Sequence, residues 1–309
     1  MDNERTGIHL RDFVGYGRNT PEGSWPNGAR LAISLVLNYE EGSEQSVLDG
    51  DPVGESVGEI VRQGEKGQRD LAIESMFEYG SRVGVWRLLD IFDRKQVDAT
   101  IFACALAVER NAQIAQYLRA SPHEVCCHGY RWEEVFRLTE AEEREHIALA
   151  VRSVERSTGK RPLGWYCRYG PSERTRRLVV EAGGFEYDSD SYADDVPYWV
   201  TVNGRPWCVV PYALDSGDMK YWRSPSFGDA QDHYNYLKDT FDCLYRESER
   251  TPRMMSVGLH CRIGGRPGRA VAVERFIDYA RSRERVWFAR RIDLARAWRE
   301  RGVPENQGA

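Results

Sequence analysis

Hydrophobic and polar positions along this chain follow two periods in alternating blocks. The run Leu31–Tyr39 (LAISLVLNY) is apolar at nearly every position and rich in branched side chains, as in a strand covered on both faces. It stops at Glu40-Glu41-Gly42. Residues 42–68 then lose sustained periodicity and gain Gly, Asp, Glu and Ser, which predicts a long loop crossing one end of the fold. Apolar residues recur at Val83, Trp86, Leu89 and Phe92, a helical spacing within 81–96, and the strand-like run ATIFACAL follows at 99–106. The same logic repeats with a helix at 112–121, a short strand and its exit at 123–130, and a long amphipathic helix at 138–159. Thr139 stands three residues before Glu142 at the head of that last helix, a capping box.

Further along, GWYCRYG reads as a strand end, 172–184 as a helix with a glycine stop, and 185–200 as a strand entering a polar loop. PWCVVPY and RMMSVGLHCR are two more strands, separated by an aromatic helix at 234–249. A helix at 271–282 and a strand at 285–291 precede the terminal segment IDLARAWRER. Strands alternating with helices predict an α/β architecture, a mostly parallel sheet closed as a distorted (β/α) barrel. With no linker and no fixed-period repeat, residues 1–309 read as one catalytic domain with an N-terminal extension.

Composition narrows the partners. A net charge of −5 offers little attraction for phosphate backbones, so nucleic acid is not an expected ligand. The longest apolar runs, Leu31 to Leu37 and Ile101 to Val108, fall far short of the roughly 18–20 residues that span a bilayer. The polar amino terminus lacks the apolar stretch of a signal peptide, and the expectation is a cytoplasmic enzyme with a small-molecule substrate. Seven cysteines without zinc-ribbon spacing read as reduced thiols, and the vicinal Cys126-Cys127 as small core residues.

Polar residues gather where the strands end, and in parallel α/β folds those carboxyl ends form the shared site face. Four ends carry chemistry: Glu40-Glu41, His128, Arg168 and His260. Paired carboxylates can divide labour, since repulsion and burial raise one pKa while the other stays ionised. Adjacent glutamates on a loop are also commonly just solvated, and a lone histidine at a strand exit is often structural; the two histidines together make the stronger signal. Trp132 suits packing on a flat substrate. Arg131, Arg168 and Arg262 could hold a carboxylate or polarise a carbonyl, because guanidinium geometry matches planar oxygens, although each alone suits a surface. Tyr192, Asp195 and Trp199 lie in an acidic, aromatic tract that reads either as a solvated loop or as a pocket wall accepting hydrogen bonds from amide N–H groups. A weak zinc site from Glu41, His128 and His260 is the metal alternative, with Trp132 standing four residues after His128 where a second histidine ligand would fall.

Taken together, residues 11–48, the CCHGYRWE tract, RRLVVEAGGFEYDSDSYADDVPYW and GLHCRIGGRPGR resemble the allantoinases of the polysaccharide deacetylase superfamily, over nearly the whole chain. The resemblance implies a distorted barrel of the polysaccharide deacetylase type, a homotetramer, and hydrolysis of a carbon–nitrogen bond in a cyclic amide. Metal-dependent members end the first strand in Asp-Asp and carry H-x-x-x-H; this chain has Glu40-Glu41 and His128-x-x-x-Trp132 there, departures that agree with the branch thought to work without metal. That reading makes Glu40 or Glu41, with His128 or His260, the activators of water, and implies no cofactor. The alternative is a zinc-dependent de-N-acetylase of polysaccharide or peptidoglycan. Where allantoinases are expected to carry a Thr-Gly-Arg tract, this chain has Trp165-Tyr166-Cys167-Arg168-Tyr169-Gly170-Pro171, which implies an altered pocket and leaves cyclic imides, hydantoin-like rings and linear amides open.

Overall fold

The structure is a computed structural model that describes residues 11–60 and 64–303. The expected N-terminal extension and the loop at 42–68 therefore lie partly outside the described residues. The strands are β1 (Leu31–Tyr39), β2 (Thr100–Ala103), β3 (Glu124–Cys127), β4 (Gly164–Trp165), β5 (Tyr187–Asp188), β6 (Tyr198–Val202), β7 (Arg205–Val209), β8 (Arg253–His260) and β9 (Val286–Phe288). They form one curled sheet in the order β6-β7-β5-β4-β3-β2-β1-β8, with β9 paired to β1 off that path. Every ladder is parallel except β6 with β7. β1 is the axis: β8 lies along Leu31–Asn38 on one edge, while the other edge is shared by β9 at Leu31–Ile33 and β2 at Val36–Tyr39. One strand pairing with three others accounts for its apolar character, because no part of it meets water.

The helices are α1 (Leu71–Tyr79), α2 (Val85–Lys95), α3 (Ala105–Arg110), α4 (Ala112–Ala120), α5 (Glu140–Thr158), α6 (Thr175–Ala182), α7 (Ala230–Glu247), α8 (Pro267–Arg281) and α9 (Arg291–Glu300). The capping box on α5 is present, with the Thr139 side chain taking the Glu142 N–H. α1 was not anticipated; it starts where Asp70 accepts the N–H groups of Ala72 and Ile73. The periodic stripe at Val83, Trp86, Leu89 and Phe92 is corrected. A wide π-turn at Gly80–Gly84 shifts the register, so Val83 is exposed and the core face of α2 is Val85, Leu88, Leu89, Ile91 and Phe92. β2 is also shorter than its apolar run, since the chain turns into α3 at Ala105.

Strand parity positions the site. In β1, Leu31, Ile33, Leu35, Leu37 and Tyr39 pack in the cluster shared with the helices. Ala32 and Val36 point to the opposite face, where they meet Phe102, Cys126, Tyr166, Tyr187, Val210 and Tyr212. Successive side chains alternate, so Asn38 continues the inner row. β8 does likewise: Met255, Val257 and Leu259 join the helix-side cluster and Met254 the inner one. The register that sets Asn38 beside both His260 and Phe102, and Phe102 beside Cys126, brings the inner rows to one level at the carboxyl ends. All seven cysteines are free thiols, and Cys126 and Cys127 are buried core residues.

Candidate active site

At the carboxyl ends of the strands lies a cavity of about 350 Å³ whose walls include Asn38, Glu40, His128, Arg168, Tyr212 and His260. Glu40 follows the inner row of β1 and is buried. Its Oε1 stands 3.4 Å from His128 Nε2 and 3.6 Å from His260 Nε2, and its Oε2 accepts from Arg262 Nη1 at 2.7 Å. Each imidazole is held from behind. His128 Nδ1 lies 2.8 Å from the Tyr166 carbonyl, which can only accept, so Nδ1 carries the proton and Nε2 faces the cavity. His260 Nδ1 lies 2.7 Å from Asp218 Oδ1, a fully buried carboxylate whose other oxygen takes the N–H groups of His260 and Gly264 at 2.6 and 2.8 Å.

The charges around Glu40 divide the two carboxylates. Burial alone would raise the Glu40 pKa, but Arg262, His260 and His128 outweigh it and hold the group well below the usual carboxylate range. Burial raises Glu41, and the Glu40 charge adds to that, against the pull of the Arg262 guanidinium, which sits 3.5 Å from Glu41 Oε1. Burial likewise pulls His260 down, yet Asp218 and Glu40 together lift its pKa above 6.5. At neutral pH the cavity floor thus presents an ionised Glu40 between two imidazoles, with His260 biased toward its charged form.

The remaining expected site residues separate. Trp132 and Arg168 line the cavity; the Arg168 guanidinium stacks 3.6 Å from the Trp132 ring, donates to the Trp132 carbonyl at 2.8 Å and pairs with buried Glu55 at 2.8 Å. Glu41 does not face the cavity: its oxygens accept the N–H groups of Arg262 and Glu40 at 3.0 and 3.1 Å. Arg262 does not line it either. This guanidinium is buried beneath the carboxylates, 4.3 Å from the Phe77 ring and 4.9 Å from Trp132, because two carboxylates without water need a fixed counter-charge. Arg131 is turned away to Asp51 (3.1 Å) and the Glu44 carbonyl (3.1 Å), where it ties down the loop after β1. Tyr192 is 44% exposed and meets the Tyr166 hydroxyl at 2.9 Å; Asp195 is exposed, and Trp199 is buried in the inner core cluster. These three residues do not line the cavity, while Asp188 and Asp190 of the same tract are buried, Asp188 paired with Arg176 at 2.7 Å and Asp190 accepting the Cys167 N–H at 2.9 Å.

Sequence reasoning passed over Asn38, Tyr166, Tyr212 and Asp218. Asn38 and Tyr166 could have been found by counting in twos along strands that end in Glu40 and Arg168. Asp218 carries no such signal, lying in an irregular segment 42 residues before its histidine.

A curled, mostly parallel sheet with a carboxylate, two backed imidazoles and a guanidinium at its carboxyl ends is a distorted (β/α) barrel carrying a candidate hydrolytic site. A family model for polysaccharide deacetylase matches residues 65–187. A putative polysaccharide deacetylase of Schizosaccharomyces pombe is 37% identical over 311 residues, covering 93% of this chain and 96% of that protein. The chain belongs to the polysaccharide deacetylase family. Among solved structures it is similar to a probable polysaccharide deacetylase from Pseudomonas aeruginosa PAO1 (48% identity, TM-score 0.90, covering 97% and 99% of the two chains). It is also similar to the allantoinase PuuE (47% identity, TM-score 0.91, covering 95% and 98%).

The donor set at the cavity floor does not fit the divalent cation of metal-dependent members. Among the described residues no group of three or more His, Cys, Asp or Glu is placed to hold one. The expected grouping of Glu41, His128 and His260 is not assembled, because Glu41 is spent on backbone N–H groups. Trp132 brings no donor, and Arg262 on the other Glu40 oxygen, Oε2, already places a positive charge beside any cation at Oε1.

Among the described residues no helix is long and apolar enough to cross a membrane.

Proposed function

We propose that this chain hydrolyses a carbon–nitrogen bond within a cyclic amide, with allantoin or a related ureide or imide ring as substrate. One observation carries the reading: Glu40 Oε1 lies between two imidazole Nε2 atoms, each fixed through its Nδ1, with the Arg262 guanidinium on its other oxygen supplying a balancing charge. Similarity to the allantoinase PuuE over nearly the whole chain supports the substrate class.

A water bound at Glu40 Oε1 would be within reach of His128 Nε2, 3.4 Å from that oxygen. Glu40, strongly acidified by Arg262, is a poor proton acceptor but a good partner for an imidazolium. His128 therefore takes the proton as the water oxygen attacks a ring carbonyl, and Glu40 stabilises the charge formed. The Arg168 guanidinium on the cavity wall supports the oxyanion. His260, whose pKa Asp218 and Glu40 raise against burial, then gives its Nε2 proton to the leaving nitrogen as the C–N bond breaks, yielding a carboxylate and an open-chain amide or ureide.

The test is to treat the purified protein with chelator and follow ring opening of allantoin, hydantoin and succinimide, with an N-acetylated chitooligosaccharide alongside. The expected result is ring opening that persists without added metal and falls by about 10³-fold in both His128→Ala and Glu40→Ala. Deacetylation of the sugar only after zinc is restored, with no ring opened, would overturn it in favour of a zinc-dependent de-N-acetylase.

A further inference from the structure

The cavity wall beside the histidines holds two polar groups that the reaction does not use. Asn38 Nδ2 donates to the Leu259 carbonyl at 3.1 Å and to the Tyr212 hydroxyl at 3.3 Å. A carbonyl cannot donate, so the amide has one orientation, and both of its hydrogens are spent within the protein. Oδ1 accepts from no described residue, and the side chain lines the cavity. The Tyr212 hydroxyl accepts from Asn38, which leaves its own proton to donate, and no described residue receives it. Burial among Phe102, Tyr166 and other rings pushes the phenol pKa up, so that proton stays on oxygen. The sequence makes room for this arrangement: a Cβ on Gly258 would overlap the Tyr212 hydroxyl. An acceptor and a donor are thus fixed side by side on one wall.

We propose that Asn38 Oδ1 and the Tyr212 hydroxyl together read the N–H and C=O edge of a ring amide, making an unsubstituted ring nitrogen beside a carbonyl a requirement for the substrate. The stereochemistry selects rings. An open-chain secondary amide is trans, with N–H and C=O on opposite sides. A small ring forces the cis form, in which both point the same way and can meet an adjacent acceptor and donor. An acetamido group on a sugar cannot make this pair of bonds. The inference rests on the ring-opening reading and narrows it. In these terms Asn38 and Tyr212 are specificity-determining residues that bind the substrate and take no proton from it.

The experiment compares kcat/KM of the full chain on allantoin and hydantoin with that on derivatives methylated at each ring nitrogen in turn. Methylation at one nitrogen is expected to lower kcat/KM by about 10²-fold or more, since it removes the donor and leaves Asn38 Oδ1 unpaired. Asn38→Ala is expected to shrink that discrimination to within a few-fold, chiefly by raising KM for the parent ring. Tyr212→Phe is expected to lower kcat/KM for the parent about tenfold while its thermal unfolding stays within a few degrees of the unsubstituted protein. Opening of every methylated ring as efficiently as its parent would overturn the assignment while leaving ring hydrolysis in place; the comparison needs no variant. Failure to open any ring would overturn both readings.

Discussion

Asp218 illustrates how one side chain acts through another. It accepts the Nδ1 proton of His260 and raises the pKa of that imidazole against the pull of burial, which favours the charged form that the proposed mechanism uses as an acid. The activity of the wild type is expected to fall as pH rises through the His260 pKa, because the proton donor is then lost. Asp218→Asn removes the negative charge, and its alkaline limb is expected to move to lower pH with kcat reduced about tenfold or more; unchanged limbs in a pH–rate profile would contradict the role given to His260. Stability follows the same sign. A group whose pKa is raised on folding stabilises most below its unfolded value, near 6.5, and that contribution disappears as pH rises through the folded value. The gap in urea midpoint between wild type and Asp218→Asn is therefore expected to be larger at acid than at alkaline pH. Arg262 is the matching case on the other side of Glu40. Replacing it with Met leaves two buried carboxylates without a counter-charge, and a loss of about 3–5 kcal/mol is expected in chemical denaturation. Arg262 is a conspicuous residue in the sequence, but its direction was misread there, since a guanidinium at a strand exit serves a ligand and a buried carboxylate pair by the same geometry.

Among the elements, the turn between α1 and α2 shows why local pattern and tertiary demand part company. Gly80 and Gly84 bracket five residues in π-helical geometry, and each lies against the site. A Cβ on Gly80 would collide with the Glu41 carboxylate, and one on Gly84 with the Cys261 carbonyl group. The helix pair can therefore press against the turn that carries Arg262 only if both positions lack side chains. The collision at Gly84 is with main chain, which cannot swing aside. Gly84→Ala is expected to destabilise the protein by about 1–3 kcal/mol, and to weaken activity through displacement of Arg262. Equal unfolding midpoints for this variant and wild type would show that the approach is looser than drawn. A helical period of apolar residues was readable around these glycines, and it predicted the helix; it could not report a wide turn that rotates the stripe by part of a turn.

Across the molecule, Arg291 at the start of α9 joins parts of the sheet remote in sequence. Its Nε donates to Ser189 at 2.8 Å, Nη1 to Ser256 at 3.0 Å and Nη2 to the Pro211 carbonyl at 2.6 Å and the Val210 carbonyl, while its N–H meets Thr100 at 2.8 Å. Buried Glu124 continues the network to Tyr187 and Ile292 at 2.7 and 3.0 Å. The ends of β5 and β7 are thus tied to β8 through one fully buried side chain, and to β2 through the main-chain N–H of the same residue. Arg291→Met fills similar space but strands several acceptors, and a loss of about 3 kcal/mol or more is expected, read as a lower urea midpoint. If the midpoint were unchanged, the sheet would be held by strand pairing and apolar packing alone.

Much of this was determined by the amino-acid order itself. The apolar density of β1 announced a doubly covered strand, the alternation of strands with helices announced a parallel barrel, and Glu40, His128, Arg168 and His260 at strand ends marked the site face. These features are local: burial period, turn residues and strand exits are written within about ten residues of one another. Only the tertiary structure decided that Glu41 and Arg262 turn inward to each other, that Arg131 serves a loop, that Asp218 backs His260, and that Asn38 and Tyr212 complete the cavity. Partners so far apart in sequence leave no period to read. Which polar side chain faces a ligand and which neutralises a buried neighbour is settled by register, by the room left at Gly80, Gly84 and Gly258, and by the cost of any charge left without a partner.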